Sequence, residues 1–388
     1  MDKRIRIELN NYAKVPLSLR AGEDEHVPKT EVVVDLAKLF HHYYLDTYGQ
    51  VPPQPDPAHF EHVRFLVPES EFRMQGSGLG VSTSARRSRS TELGQAFCRW
   101  FLHDYLNITY FAHVGDLIGR QHHRGIGGCA VRRLVDGDTP DYLCAESSDN
   151  VLLAEAKGRY SSISFRRKDF SSWRDQFDRV QVVDASGVPR AVKGHIVATR
   201  FATEEDSASI RTTLFAEDPA SRGQGPLDGE PARSLAAAVI GTHYGRIAEK
   251  LDQPLLAAAL LNGIALPTEI LVQVVLWKLS IDPMKSRLFV GGYYPGPSGE
   301  PAFEVREGAV QSRRRDLLRL DQPRGTFVGV EENVFRQIVS DCRASGQLAM
   351  QPGRLEHTDR IYSAISMLRD GSVMGPVEFF EPVRAETL

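Results

Sequence analysis

The stretch TPDYLCAESSDNVLLAEAKGR, residues 139–159, decides the fold. Its two apolar runs, DYLCAE and NVLLAEAKG, are separated by the turn-forming residues SSDN and predict two short antiparallel β-strands. Side chains alternate between the two faces of a strand, so Glu155 and Lys157 point to one face. Pairing of the two strands brings Asp141, at the head of the first run, close to Glu155. These residues form either the solvated edge of an ordinary hairpin or a metal site.

The metal interpretation follows from the charges. Two carboxylates that are held together repel each other unless a cation lies between them. An oxygen-rich site of this kind suits Mg²⁺, which keeps several waters and accepts a phosphate oxygen as a further ligand. A metal held there would activate water and offset the charge that develops on a phosphate, and Lys157 would orient the water or stabilise the transition state.

The segments around the hairpin alternate between helical and strand-like patterns. Apolar residues recur at helical spacing from Ser90, residues 107–114 and 191–201 read as strands, and residues 167–182 read as a helix. With the hairpin, the predicted order is helix, strand, strand, strand, helix, strand. Residues 1–84 predict an N-terminal α/β extension, residues 85–204 the core, and residues 205–388 an α+β C-terminal domain of unknown role. The fold class is therefore α/β in the core and α+β overall.

Composition and length indicate an ordinary globular chain of two or three domains. The chain has 388 residues, of which 41% are hydrophobic and 25% are charged, and its four cysteines show no CxxC spacing. No apolar run approaches the roughly 20 residues that span a bilayer, and the N-terminus lacks the apolar region of a signal peptide. We expect a cytoplasmic protein that does not associate with membranes.

Positive charge is clustered although the net charge is only −3. Basic clusters occur at residues 85–89, 120–124, 159–168 and 312–315. Each cluster is either a solvated face or a contact surface for phosphate, to which the planar arginine side chain is well suited.

Pro140 and Asp141, followed by Glu155, Ala156 and Lys157, resemble the motif of the PD-(D/E)XK nuclease superfamily. The resemblance covers roughly residues 88–202. It implies a restriction-endonuclease-like αβββαβ core, which is the element order derived above. It also implies that Mg²⁺, or Mn²⁺ in its place, is held by the two carboxylates and the backbone carbonyl of Ala156, and that Lys157 is catalytic.

The resemblance extends to two further residues, each of which has an ordinary structural explanation. Members of the superfamily often add a metal-binding carboxylate from the first core helix, and Glu92 lies where this ligand is expected. An acidic residue just after Ser90 is also favourable helix-capping chemistry. Some members carry a glutamine on the second core helix, for which Gln176 is a candidate, although a surface helix has many polar positions.

We therefore expect a Mg²⁺-dependent hydrolase that cleaves phosphodiester bonds, most simply a DNA endonuclease in bacterial restriction or antiviral defence against phage. The arginines and lysine expected to contact nucleic acid are Arg159, Arg166, Arg167 and Lys168. Two alternatives remain open, namely a nuclease that acts on RNA and a non-catalytic nucleic-acid-binding or assembly subunit. A protein partner or a homo-oligomer would use the C-terminal domain.

Overall fold

The computed structural model is a mixed α/β structure that divides into two compact units. The first contains Met1–Thr47 and Glu61–His243, and the second contains Tyr244–Leu388, so the boundary falls inside one long helix. The residues that the structure describes are 2–47, 61–118, 129–147, 150–184, 186–219, 229–281, 287–294, 303–306, 309–312, 325–345 and 364–388.

The first unit contains a seven-stranded sheet with helices. Its helices are α1 (Leu36–Thr47), α2 (Glu61–Arg64), α3 (Thr83–Leu106), α4 (Val114–Leu117), α5 (Lys168–Phe177) and the first part of α6 (Gly229–Lys250). Its strands are β1 (Asp2–Asn10), β2 (Glu31–Asp35), β3 (Arg73–Met74), β4 (Tyr110–His113), β5 (Ala130–Arg133), β6 (Tyr142–Ser147), β7 (Asn150–Arg159), β8 (Val180–Val183), β9 (Pro189–Arg190), β10 (Gly194–Arg200), β11 (Ala202–Thr203) and β12 (Thr213–Glu217).

The strand order in the large sheet is β2-β1-β12-β10-β7-β6-β4. The predicted hairpin is confirmed, because β6 and β7 pair antiparallel. β4 pairs antiparallel with β6, and β10 pairs parallel with β7. The chain therefore runs through α3, β4, β6, β7, α5 and β10 in the predicted order of helices and strands. The short strands β5, β8 and β9 interrupt that order and form a separate three-stranded sheet.

Two predicted helix boundaries differ from the structure. α3 begins at Thr83, with Ser82 as its N-cap, rather than near Ser90. α5 ends at Phe177 rather than at residue 182, because the β-branched segment Val180–Val183 pairs with β5 instead.

The large sheet crosses both of the boundaries predicted at 84/85 and 204/205. β1 and β2 come from the N-terminal segment, and β12 comes from the segment after residue 204. β12 lies between β1, with which it pairs parallel, and β10, with which it pairs antiparallel. Without β12, the facing edges of β1 and β10 would leave backbone N–H and C=O groups unpaired. Pairing with β12 on both sides satisfies these groups. The change in local composition near residue 205 therefore comes one strand too early to mark the end of the sheet.

Two glycines set the packing of α3 on the sheet. A Cβ atom on Gly158 would lie 1.9 Å from the carbonyl oxygen of Ser90, and one on Gly94 would lie 2.5 Å from the amide nitrogen of Gly158. The helix backbone thus lies directly on the strand backbone, on the face to which Gly158 belongs. Because side chains alternate, Glu155 and Lys157 point to the opposite face.

That opposite face carries α5. A Cβ atom on Gly194 would lie 2.7 Å from the ring of Phe177 in α5, and Gly194 is the parallel partner of Leu153. Residues that are partners in neighbouring strands point to the same side of a sheet. Leu153, Glu155 and Lys157 therefore share the face that α5 covers.

The second unit contains a six-stranded sheet in the order β18-β19-β17-β14-β13-β20, a small hairpin of β15 and β16, and two further helices. The helices are α7 (Pro254–Asn262) and α8 (Glu332–Ser345). The strands are β13 (Gln273–Leu279), β14 (Leu288–Tyr294), β15 (Phe303–Arg306), β16 (Ala309–Ser312), β17 (Thr326–Glu331), β18 (Ser366–Met367), β19 (Ser372–Pro376) and β20 (Phe380–Thr387). Its core includes Trp277, Phe289, Phe327 and Phe380. In the parts of the chain that the structure describes, no helix combines the length and apolar character needed to cross a membrane.

The glycine contact predicts a large loss of stability for Gly158→Ala. The added methyl group would collide with backbone, which cannot rotate away, so we expect a loss of about 3 kcal/mol in the free energy of unfolding, at the upper end of the usual range for overpacking. Gly22→Ala is the matched control, because a Cβ atom there meets nothing within 4 Å. Urea unfolding of both variants measures the difference. Equal stability of the two variants would contradict this packing.

Candidate functional site

Asp141 lies immediately before β6 and faces β7. Tyr142 is the partner of Ala154, so the next pair along the two strands is Asp141 and Glu155. The Oδ2 atom of Asp141 accepts a hydrogen bond of 2.8 Å from the backbone amide of Ala156. The Asp141 carboxylate is thus fixed on the peptide that follows Glu155, in the strand register predicted from the sequence.

Glu155 is a fully buried carboxylate, with 0% of the residue exposed. The Nζ atom of Lys157 donates a hydrogen bond to its Oε1 atom. Within the described residues, its Oε2 atom is buried and has no hydrogen-bond partner. A buried carboxylate oxygen in that condition is costly unless a donor or a cation satisfies it. Lys157 is the more exposed member of this ion pair, with 29% of its side chain accessible to solvent.

Burial shifts the pKa of both Asp141 and Lys157 toward the neutral forms. Desolvation raises the pKa of Asp141, and the charge of Lys157 and the amide of Ala156 only partly oppose that change. Desolvation lowers the pKa of Lys157, which the carboxylates of Asp141 and Asp138 partly oppose. A cation beside Asp141 would favour its ionised form and offset the cost of burying it.

Gln176 belongs to α5, the helix that covers the face of Glu155 and Lys157. It is 4% exposed, and its Oε1 atom is buried without a hydrogen-bond partner in the described part of the chain. Just beyond it, Arg179 donates from Nη1 to the carbonyl oxygen of Asp138, at 2.9 Å. The end of α5 is therefore tied to the segment that leads into Asp141.

In the described part of the chain, the hydrogen bonds of the Glu92 side chain join it to residues other than Asp141, Glu155 and Lys157. Its carboxylate accepts from Nη1 of Arg89 at 3.2 Å and from the hydroxyl groups of Tyr43 and Ser88, each at 3.4 Å. The reason lies in the helix: Ser90 and Gly94 face β7, and Glu92 is about half a turn away from both. Because α3 begins at Thr83, Glu92 is also not in the first turn, so the capping explanation fails as well.

The expected nucleic-acid contacts divide into two groups. Arg159 forms an ion pair with Asp169 at 2.7 Å, and its guanidinium group lies 5.0 Å from the centre of the Trp173 ring. These contacts give Arg159 a structural role. The other three expected residues, Arg166, Arg167 and Lys168, are exposed. Of the other basic clusters, residues 120–124 and 313–315 lie outside the described residues.

A buried polar cluster behind the start of β6 was missed from the sequence. Asp46, at the end of α1, accepts hydrogen bonds from Arg99 and the Tyr142 hydroxyl, both at 2.9 Å, and forms an ion pair with His113 at 3.2 Å. Burial favours the neutral acid, but His113, Arg99 and Tyr142 together outweigh it and lower the pKa of Asp46 to about 2. The cluster anchors the residue next to Asp141. Its members come from two helices and two strands, α1, α3, β4 and β6, which are far apart in sequence, so no local pattern reveals it.

The donors present fit Mg²⁺ better than a metal that needs a complete protein cage. Among the described residues, no group of three or more His, Cys, Asp or Glu side chains is placed to share a metal ion. Mg²⁺ is usually held by one or two carboxylates together with waters and substrate phosphate oxygens. Glu155, whose Oε2 has no partner among the described residues, and Asp141, immediately before the neighbouring strand, supply two such carboxylates.

No protein-family model, curated protein or solved structure matches this chain. Its function is therefore inferred from its own residues and their geometry.

The cluster around Asp46 predicts a pH-dependent contribution to stability. The folded-state pKa of about 2 lies below the ordinary value of 3.8, so the stabilisation is present above about pH 4 and is lost as the pH falls through 2. We expect Asp46→Asn to lower the free energy of unfolding by about 2 kcal/mol at pH 7. The loss is larger if Arg99 is left buried without its charge partner.

Chemical unfolding at pH 7 and at pH 2.5 measures this effect, with the exposed Asp136→Asn as control. A cost for Asp46→Asn that is the same at both pH values would contradict the assignment.

Proposed function

We propose that this chain is a Mg²⁺-dependent phosphodiesterase of the PD-(D/E)XK type that acts on nucleic acid, most simply as a DNA endonuclease. The observation that carries the proposal is the state of Glu155. It is completely buried, one oxygen is bound by Lys157, and the other has no partner among the described residues, on the strand next to Asp141. The order α3, β4, β6, β7, α5, β10 supports a restriction-endonuclease-like core.

The residues divide the chemistry between them. Asp141 and Glu155, with the carbonyl of Ala156, would hold the metal. When bound, Mg²⁺ lowers the pKa of a bound water and offsets charge on the scissile phosphate. Glu155 can bind a cation through Oε2 while Lys157 stays on Oε1. Lys157 then places its ammonium group where negative charge develops in the transition state.

Gln176 is the next residue in line for a role in this site. Its buried, unpartnered oxygen lies on the helix that covers the Glu155 face, so it can accept a hydrogen bond from the attacking water or from Lys157. We leave Glu92 out of the proposed site, because its contacts are with Tyr43, Ser88 and Arg89.

Nucleic acid is the substrate that the surroundings favour. The exposed cations Arg166, Arg167 and Lys168 follow β7 in the chain, between that strand and α5 or at the first residue of α5. Contacts with backbone phosphates dominate the affinity of proteins for nucleic acid. A role in bacterial restriction or phage defence, in the cytoplasm, is the setting we propose for such an enzyme.

The mutational test uses the charge of each site residue. We expect Asp141→Ala and Glu155→Gln to abolish Mg²⁺-dependent cleavage of plasmid DNA, because each removes a charged ligand. Lys157→Ala should slow the rate by about 10² to 10³, comparable to the loss of one transition-state hydrogen-bond donor. Glu155→Gln keeps the shape of the side chain, so its folding is at less risk than that of an alanine variant.

Glu92→Ala is the matched control, and it should retain the wild-type rate within a few-fold. Parallel reactions with RNA, with Mn²⁺ and with EDTA identify the substrate and the metal requirement. Wild-type rates for Asp141→Ala would remove the site from consideration. A wild-type protein that binds nucleic acid and never cleaves it would favour the non-catalytic alternative, in which Lys157 and Glu155 form a structural ion pair.

A further inference from the structure

Two segments without acidic residues meet at the end of β7. One is QGSGLGVSTSARRSRS, residues 75–90, which leads into and begins α3, and the other is RYSSISFRRK, residues 159–168. They are distant in the sequence, and from composition alone the first segment reads only as a mobile loop.

Specific contacts hold the first segment against the second. The backbone amide of Leu79 donates to the hydroxyl group of Tyr160 at 3.1 Å, and a Cβ atom on Gly78 would lie 2.5 Å from the Tyr160 ring. Gly78 has φ +96°, a backbone conformation that residues other than glycine rarely adopt. The backbone contact of Gly158 with Ser90, about two turns after the start of α3, holds the N-terminal part of this helix at the same strand end. The two segments therefore meet at the end of β7.

Most of the cations in these two segments have no acidic partner among the described residues. Arg89 is paired with Glu92, and Arg159 is paired with Asp169. Within the described residues, the side chains of Arg86 and Arg167 bind neutral acceptors alone, the hydroxyl group of Ser77 and the carbonyl oxygen of Ser162.

Three further cations have no side-chain hydrogen bond or ion pair in the described part of the chain, and all three are exposed. They are Arg87, Arg166 and Lys168. In a chain of net charge −3, this is a local concentration of uncompensated positive charge.

We propose that Arg86, Arg87, Arg166, Arg167 and Lys168 form one binding surface for the phosphate backbone of a polynucleotide, and that this surface guides the strand to Glu155 and Lys157. The inference rests on the proposed function, and it adds the start of α3 to the substrate site. Cations from two segments suit a polyanion whose charges repeat along its length. Exposed hydroxyl groups of Ser82, Thr83, Ser84, Ser161 and Ser162 offer additional donors to phosphate oxygens.

Binding measured without catalysis tests the surface. Fluorescence anisotropy of labelled DNA, single-stranded and duplex, gives the Kd of wild type, Arg87→Glu and Arg166→Glu in EDTA over a range of salt concentrations. We expect each reversal to weaken binding about tenfold or more and to reduce the slope of log Kd against log salt by about 1. Arg87→Gln, which removes the charge without adding an acid, should weaken binding less but in the same direction.

Lys29→Glu is the charge-matched control. Lys29 is exposed, and its side chain binds the carbonyl oxygen of Ser18 and no other group in the described part of the chain. It precedes β2, which β1, β12 and β10 separate from β7. We expect its Kd to stay within about twofold of wild type, because it is far from the proposed surface. If Arg87→Glu and Arg87→Gln bind as Lys29→Glu does, the proposed surface is wrong.

The outcome is separable from that of the proposed function. Loss of binding by Arg87→Glu in a protein that never cleaves DNA would uphold the surface and reject the nuclease. Mg²⁺-dependent cleavage by a protein whose binding ignores Arg87 would uphold the nuclease and reject the surface.

Discussion

The backbone contact between α3 and β7 is the constraint on which the rest of the first unit depends. Gly94 and Gly158 allow helix and strand to meet without intervening side chains, and any Cβ atom at Gly158 would overlap the carbonyl oxygen of Ser90. The contact fixes which face of β7 the helix takes. The alternation of the strand then sends Glu155 and Lys157 to the other face, beneath α5. The same contact holds the basic start of α3 at the end of β7.

Placing Glu155 on a covered face has an energetic consequence. A buried carboxylate with one unpartnered oxygen is unfavourable, and one hydrogen bond from Lys157 satisfies only half of it. Burial also shifts the pKa of neighbouring Asp141 upward and that of Lys157 downward. Proteins usually avoid such arrangements by pairing every buried charge, and they accept them where a ligand completes the site. A divalent cation between Asp141 and Glu155 would relieve all of these costs together, which is why we propose a metal-dependent function.

Local patterns predicted the hairpin and the order of the surrounding helices and strands, because alternation, turn residues and helical spacing are short-range signals. The proximity of Asp141, Glu155 and Lys157 could be predicted for the same reason, because all three lie on or beside one hairpin. The contacts of Glu92 with Tyr43, Ser88 and Arg89 could not be predicted, since its direction depends on the helix face that Gly94 and Ser90 select and not on its own neighbours. The domain boundaries failed to anticipate β12, which joins β1 and β10 through pairings that no local composition encodes.

The cluster around Asp46 and the contact of the loop at Leu79 with Tyr160 were unpredictable for the same physical reason, because each joins segments far apart in sequence.

The central claim is that Asp141 and Glu155 share a divalent cation, and anomalous diffraction from crystals of this protein soaked in Mn²⁺ tests it most directly. We predict an anomalous peak from a Mn²⁺ ion that is coordinated by the Asp141 carboxylate and Oε2 of Glu155, while Lys157 still donates to Oε1. Mn²⁺ absent from these oxygens at saturating concentration, with Oε2 of Glu155 satisfied by a protein group instead, would contradict the account.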